Sequence, residues 1–397
     1  MTRQLTPAQT LPFDAAEALL VGRAWVPGPQ GGPTLVQLRD GVLHDIGALA
    51  PTMAALLERT DAAQALRTAP PKPLGNLADW LADTVGHGPD PHRRHLLAPN
   101  DLQVVKAAGV TFADSMVERV IEEQTRGDPS RAEAVRGKVV ALVGDDLAKI
   151  RPGSPEAEKL KALLIEQKLW SQYLEVGIGP YAEIFTKAPP MASIGTGVDV
   201  GLHSASSWNN PEPEVVLVVS PRGQVVGAAL GNDVNLRDFE GRSALLLGKA
   251  KDNNGSCAIG PFIRLFDDRF GMDDVRNTVV GLNVTGDDGF VLEGSSSMAR
   301  ISRDPLDLVT HAMGPHHQYP DGMMLFCGTM FAPIKDRDAP GAGFTHHLGD
   351  RVTISAERLG GLVNWVNHSD RIPPWQFGVG ALMRNLAGRG QIGRAHV

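Results

Sequence analysis

The sequence predicts an α+β protein, a small N-terminal domain followed by a larger β-rich domain folded as a mixed β-roll or barrel. Three observations carry this. From residue 178 onward, short apolar runs at 215–220, 224–230, 278–285, 323–326 and 351–355 alternate with Gly, Asp, Asn and Pro clusters, the spacing of strands joined by tight turns. Between residues 96 and 178 the apolar residues instead recur at helical spacing within charged sequence. Pro- and Gly-rich stretches at 68–73 and 86–92 mark a connection between these regions and what precedes them. The expected division is therefore residues 1–95, residues 96–390 and a short tail, 391–397.

In the first region, residues 19–25 and 34–43 read as strands and 52–66 as a helix. The next helix is expected over 114–124, with Asp114 as N-cap and Val117, Val120 and Ile121 on one face. Residues 129–150 are charged and read as helical. Ser154-Pro155-Glu156 opens a further helix, with Ser at the N-cap, Pro at the first helical position and an acid in the first turn. The tail, Gln-Ile-Gly-Arg-Ala-His-Val, matches an in-frame translation of a sequencing adapter, so it is read as non-native and His396 enters no site argument.

Composition excludes several function classes. There are 38 Lys and Arg against 45 Asp and Glu, a net charge of −7, and no long basic block, which argues against nucleic acid as the main partner. The longest apolar runs fall far short of the roughly 20 residues that span a bilayer. The first 13 residues lack the basic and apolar regions of a secretory leader. Two cysteines, Cys257 and Cys327, cannot form a disulfide framework. A cytoplasmic protein acting on a small molecule is the expectation.

The strongest chemical signal is Asn210-Pro211-Glu212-Pro213-Glu214. Proline holds the residue before it extended, and on an extended chain residues i and i+2 share a face. Glu212 and Glu214 are therefore presented side by side. Two such charges repel unless one is protonated or a cation lies between them, and carboxylate oxygens suit Mg²⁺, Mn²⁺ or Ca²⁺. Asp233 follows the next apolar strand and joins the pair only if the hairpin register allows it. Taken alone, the plainer readings are a solvated turn for the glutamates, a loop acid for Asp233 and a salt bridge to Asp238 or Glu240 for Arg237. Lys249 and Lys251 precede Gly255-Ser256-Cys257 and Gly260-Pro261. A lysine beside a metal-bound oxygen can stabilise an enolate. His316-His317 and His346-His347 look like metal pairs, but neighbours on a strand point to opposite faces, so surface or loop histidines are expected. Cys257 is read as a small buried residue.

Taken in order, Glu-Pro-Glu, Gly231-Asn232-Asp233-Val234-Asn235-Leu236-Arg237-Asp238, a Lys before Gly-Pro, Gly328-Thr329 and Gly349-Asp350-Arg351-Val352 resemble the fumarylacetoacetate hydrolase family across roughly residues 96–386. The resemblance implies a β-rich catalytic domain, a divalent metal on Glu212, Glu214 and Asp233, substrate contact by Thr329, and a homodimer or homotetramer. Hydrolases of this family place a general-base His shortly after an aromatic residue in an early loop. Here Ser115 follows Phe112 instead, and no His lies between His95 and His203. Serine does not replace imidazole as a base near neutral pH.

That stretch, with Glu183 in Pro180-Tyr181-Ala182-Glu183-Ile184-Phe185 and with Lys251, is instead similar to the family's dehydratases of 2-keto-3-deoxy-xylonate and -arabinonate. The implied reaction is dehydration to α-ketoglutarate semialdehyde with Mg²⁺ or Mn²⁺. Glu183 or Glu212 removes the C3 proton, Lys251 supports the enolate, and Phe112, Ser115, Arg119, Arg237 and Thr329 line the substrate pocket. The alternative is an acylpyruvate-type C–C bond hydrolase or decarboxylase.

Overall fold

A computed structural model describes residues 3–85, 90–132, 135–137, 150–166, 170–331 and 333–393. Its centre is an eleven-stranded sheet. In spatial order the strands are Pro73–Asn76, Val42–Asp45, Gly32–Arg39, Leu20–Val26, Cys257–Leu265, Val225–Asp233, Pro213–Val219, Met323–Phe326, Val104–Gly109 and Glu183–Ala188, and His95–Leu97 also pairs with Leu20–Val26. Leu20 lies opposite Arg264, so the N-terminal strands run straight into the main sheet. A five-stranded sheet follows the order Val291–Ser297, Val279–Thr285, Arg351–Ala356, Gly360–His368 and Asp199–Leu202. Among the described residues both sheets are open at two edges, so the expected barrel closure is replaced by two large open sheets with helices packed around them.

The strand Pro213–Val219 shows why the middle of the large sheet is stable. All seven residues are buried. Val215, Leu217 and Val219 enter one apolar cluster, and Val216 and Val218 enter another on the opposite face. A strand buried on both faces reads as a continuous apolar run because alternate side chains serve two cores. The neighbouring strand Met323–Phe326 is buried throughout in the same way and runs parallel to Val104–Gly109. That pairing needs a long crossover, and it brings an early segment beside a late one.

Local expectations fared unevenly. Residues 34–43 form two strands, Gly32–Arg39 and Val42–Asp45, turning at Asp40, whose φ is 49°, and Gly41. Residues 52–66 split into Met53–Glu58 and Ala62–Thr68. The next helix begins at Ala113, so the N-cap position falls on Phe112 and residue 114 lies inside the first turn. Ser154 caps Pro155–Glu166 as expected, its hydroxyl accepting from the Ala157 N–H at 3.2 Å. Within residues 129–150 a 3₁₀ turn covers Pro129–Arg131; most of that stretch, and His396 in the tail, lie outside the described residues. No helix among the described residues is long and apolar enough to cross a membrane.

Candidate active site

The hairpin Pro213–Val219 / Val225–Asp233 builds the acidic centre. Its register pairs Pro213 with Asn232 and Glu214 with Gly231. Continued by one residue, it sets Asp233 across from Glu212, where the Asp233 N–H donates to the Glu212 carbonyl at 3.1 Å. The three carboxylates are each 1% exposed, and one oxygen from each lies within 4.8 Å of the others. The register on which Asp233 depended is thus the one the fold adopts.

Cations answer only part of this charge. Lys251, at the end of the short helix Leu247–Lys251, reaches Glu212 Oε2 at 2.5 Å and Asp233 Oδ2 at 3.1 Å. Arg119 donates to Glu212 Oε1. Burial alone would raise the Glu212 carboxyl, but these two cations hold it down at about 2. Glu214 is different. It accepts the Gly328 N–H at 2.6 Å and the Thr329 hydroxyl at 3.3 Å, and among the described residues no cation forms an ion pair with it. Burial, then Asp233 and Glu212, push its carboxyl well above the ordinary range. Three buried carboxylates converging with one of them unanswered, all hard oxygen donors, fit a divalent cation such as Mg²⁺ or Mn²⁺.

Opposite the triad stands the strand Glu183–Ala188 at the sheet edge. Residues 183, 185 and 187 share one of its faces, so Glu183, Phe185 and Lys187 all turn toward the site. Lys187 is fully buried. It lies 2.7 Å from Asp233 Oδ1, donates to the Val234 carbonyl at 3.2 Å and also donates to the Lys251 carbonyl. Burial raises the Glu183 carboxyl, against the pull of Arg119 and Lys251. Glu183 pairs with Gly109 across the sheet, and a Cβ on Gly109 would fall 1.9 Å from Glu183 Oε2. The absent side chain is what lets this carboxyl fold over its neighbour.

The helix Ala113–Thr125 supplies the third wall. Ser115, Arg119 and Glu122 recur at i, i+4 and i+7 on one face. The Ser115 hydroxyl donates back to the Phe112 carbonyl at 2.9 Å, an intrahelical bond and no posture for a base. A small cavity, partly open to solvent, is lined by Ser115, Arg119, Glu183, Glu212, Asp233, Lys251 and Thr329 among others.

Two of the residues expected there do not line it. Phe112 is packed in the apolar core. Arg237 donates to Glu118 at 2.8 Å and to Glu122 at 2.7 Å, and stacks 4.3 Å from the Trp208 ring, so its role is to brace the helix. Of the two partners suggested for it, Asp238 instead accepts from the Ser206 hydroxyl and the Ser207 N–H, and Glu240 pairs with Arg119. Lys249 also faces away, toward His203. His346 departs from the expected surface position: its ring is buried, with Nδ1 3.1 Å from Asp350. Cys257 is buried and its thiol is pushed up to about 12 by burial.

Residues that the sequence left unassigned also line the cavity. Glu240 is buried there, 3.0 Å from Arg119, and burial raises its carboxyl to about 7. Phe185 lies beneath Lys251, 5.7 Å from its ammonium. Glu240 was visible in the sequence only as a salt-bridge candidate.

Comparison with known proteins follows the same lines. No family model matches the chain. A protein of Haloferax volcanii described as a probable 2-keto-3-deoxyxylonate dehydratase is 28% identical over 201 residues, 51% of this chain and 65% of that one. The 2-dehydro-3-deoxy-D-arabinonate dehydratase of Saccharolobus solfataricus is 28% identical over 193 residues, 48% of this chain and 60% of the relative. The match thus spans less than two thirds of either relative's length. Among solved structures, a 2-keto-3-deoxy-D-arabinonate dehydratase complexed with magnesium and 2,5-dioxopentanoate superposes with a TM-score of 0.60 at 19% identity, covering 89% of this chain and 100% of that one. The fumarylacetoacetate hydrolase of Exiguobacterium antarcticum superposes with a TM-score of 0.54 at 17% identity, covering 88% and 100%. The chain has the fold of the fumarylacetoacetate hydrolase family. Within that fold, the Glu212, Glu214 and Asp233 cluster is a buried acidic centre suited to magnesium.

Proposed function

We propose that this chain is a hydro-lyase that dehydrates a 2-keto-3-deoxy pentonate of the xylonate or arabinonate type to α-ketoglutarate semialdehyde in pentose breakdown. The observation that carries the reading is the pairing of the triad with Glu183 across one cavity, while the position of a hydrolase's general base holds a serine bonded to its own helix. The names of the relatives at 28% identity support the same reaction.

Glu212, Glu214 and Asp233 would hold a Mg²⁺ or Mn²⁺ ion. Bound there, the ion supplies Lewis acidity to a 2-keto acid and so acidifies its C3–H. Glu183 is the general acid–base group. Its carboxylate takes the C3 proton, and its carboxylic acid then protonates the departing C4 hydroxyl, which leaves as water. The C3=C4 product carries a C5 hydroxyl, and tautomerisation turns that end into the aldehyde. The burial that raises the Glu183 carboxyl suits a group that must hold a proton for part of the cycle. Lys251 stays charged, because Asp233, Glu212 and Glu240 outweigh the effect of its burial, and it donates to the developing enolate oxygen. Thr329 orients Glu214 and borders the substrate. Arg119 aligns Glu212 from the opposite side.

The test is incubation of the Mg²⁺-loaded protein with 2-keto-3-deoxy-xylonate and -arabinonate. α-Ketoglutarate semialdehyde is expected, at least about 10²-fold less of it per unit time from Glu183→Gln, with magnesium affinity retained. Pyruvate release from an acylpyruvate with no semialdehyde from either pentonate refutes the assignment.

A further inference from the structure

The cavity's charge inventory bears on which keto acids it admits. Among its described lining residues are two cations, Arg119 and Lys251, and four carboxylates, Glu183, Glu212, Asp233 and Glu240. Neither cation is available to a ligand's tail. The Arg119 guanidinium is enclosed by three acids: Glu122 at 2.7 Å, Glu240 at 3.0 Å and Glu212. Lys251 is held between Glu212 and Asp233. The next arginine, Arg237, is consumed by Glu118 and Glu122. Glu240 is 4% exposed, and its Oε2 makes no hydrogen bond despite the 3.0 Å ion-pair contact. Outside the metal-binding triad, the described lining residues therefore offer carboxylate acceptors in Glu183 and Glu240 and no uncommitted cation.

We infer that Glu240, with Glu183, is a specificity determinant that admits monoanionic 2-keto acids with a hydroxylated tail and rejects those with a second carboxylate. Hydroxyl groups donate to carboxylates, and a charge-assisted bond of this kind is stronger than one between neutral groups. A tail carboxylate instead meets two acids whose neighbouring cation, Arg119, is already shared among Glu122, Glu240 and Glu212, and juxtaposed like charges suppress binding. Selection here works by an unfavourable contact as much as by a favourable one. The inference rests on the reading of this cavity as a 2-keto acid site, and it separates the chain from enzymes whose keto-acid substrates carry a second acidic group.

A matched series tests it by calorimetry on the Mg²⁺-loaded protein. 2-Oxopentanoate and 2-oxoglutarate share the keto-acid head and a five-carbon length, and differ in having an apolar tail or a carboxylate. 2-Oxoglutarate is expected to bind at least about tenfold more weakly. In Glu240→Gln the gap should narrow to roughly threefold or less, because the amide can donate to a carboxylate. The same variant should raise KM for the 2-keto-3-deoxy pentonates more than it lowers kcat, with a thermal melt confirming that it folds. Equal or tighter binding of 2-oxoglutarate by the wild type overturns the inference without recourse to any variant, and so does an unchanged ratio in a folded Glu240→Gln. If discrimination holds but neither pentonate is dehydrated, the proposed reaction falls and the specificity stands.

Discussion

Replacing Gly109 by Ala should disable the site while leaving the fold intact. The new Cβ would lie 1.9 Å from Glu183 Oε2 and 2.6 Å from its Cδ. Ordinary contact begins near 3.5 Å, so the carboxyl must retreat by about 1.5 Å. The obstructing atoms are the far end of a flexible side chain, so the sheet need not move and the melting temperature should change little. The catalytic cost is larger, since a misplacement of about 1 Å can reduce rate about 10²-fold. We expect kcat for pentonate dehydration to fall by roughly 10²-fold, with magnesium affinity by calorimetry unchanged, because Glu183 is not one of the triad. In a Glu183→Gln background the same substitution should cost almost nothing further, since both changes act through one group. A kcat within about threefold of wild type, or additive losses in the double variant, would refute the argument that Gly109 positions Glu183.

Three further outcomes are expected. Prolonged chelation should abolish turnover, with Mg²⁺ or Mn²⁺ restoring it; magnesium at about 100 times its dissociation constant should also stabilise the fold by about 2.7 kcal/mol in a denaturant titration, and full activity after chelation would count against the triad. Lys251→Met should lower kcat by about 10²–10³-fold, as removal of a positioned donor to a developing oxyanion does, read from steady-state rates at saturating metal. Asp350→Asn should cost about 1–3 kcal/mol in urea unfolding near pH 7, because Arg337, 2.6 Å away and 2% exposed in its side chain, loses its buried partner and keeps only the partly exposed Asp288 at 3.0 Å. Burial would raise the Asp350 carboxyl, but Arg337 and His346 bring it down to about 2. The stabilisation is therefore present above the usual carboxylate value and lost as pH falls from about 4 toward 2. The variant should lack that acid-side component, and an identical pH dependence in the two proteins would refute it.

Much of the acidic centre was legible in the chain, because its geometry is local. Pro213 holds Glu212 extended and period 2 brings Glu214 onto the same face, so that pair follows from one short segment. Asp233 needed one more fact, the hairpin register, which no local feature announces. Arg237 was misplaced for a related reason. A cation three residues before Glu240 can turn toward the substrate or toward acids from a distant helix, and only the docking of Ala113–Thr125 presents Glu118 and Glu122 to it. Phe112 precedes Ser115 and Arg119 as an aromatic pocket residue would, yet it enters the core as the N-cap of that helix.

The amino-acid sequence by itself determined the chemistry available: three carboxylates in family order, a serine where a hydrolase has its histidine, and Glu183 and Lys251 among the acids and lysines. These are properties of residue identity and short spacing, and they survive without knowledge of the fold. The tertiary structure decided which of those groups meet. The parallel pairing of Val104–Gly109 with Met323–Phe326, and its antiparallel pairing with Glu183–Ala188, join segments far apart in the chain. They set Gly109 beneath Glu183, turn Lys187 onto Asp233, and close a cavity around Glu240. Such contacts are selected by the burial of whole sheets, to which no single stretch of sequence has access.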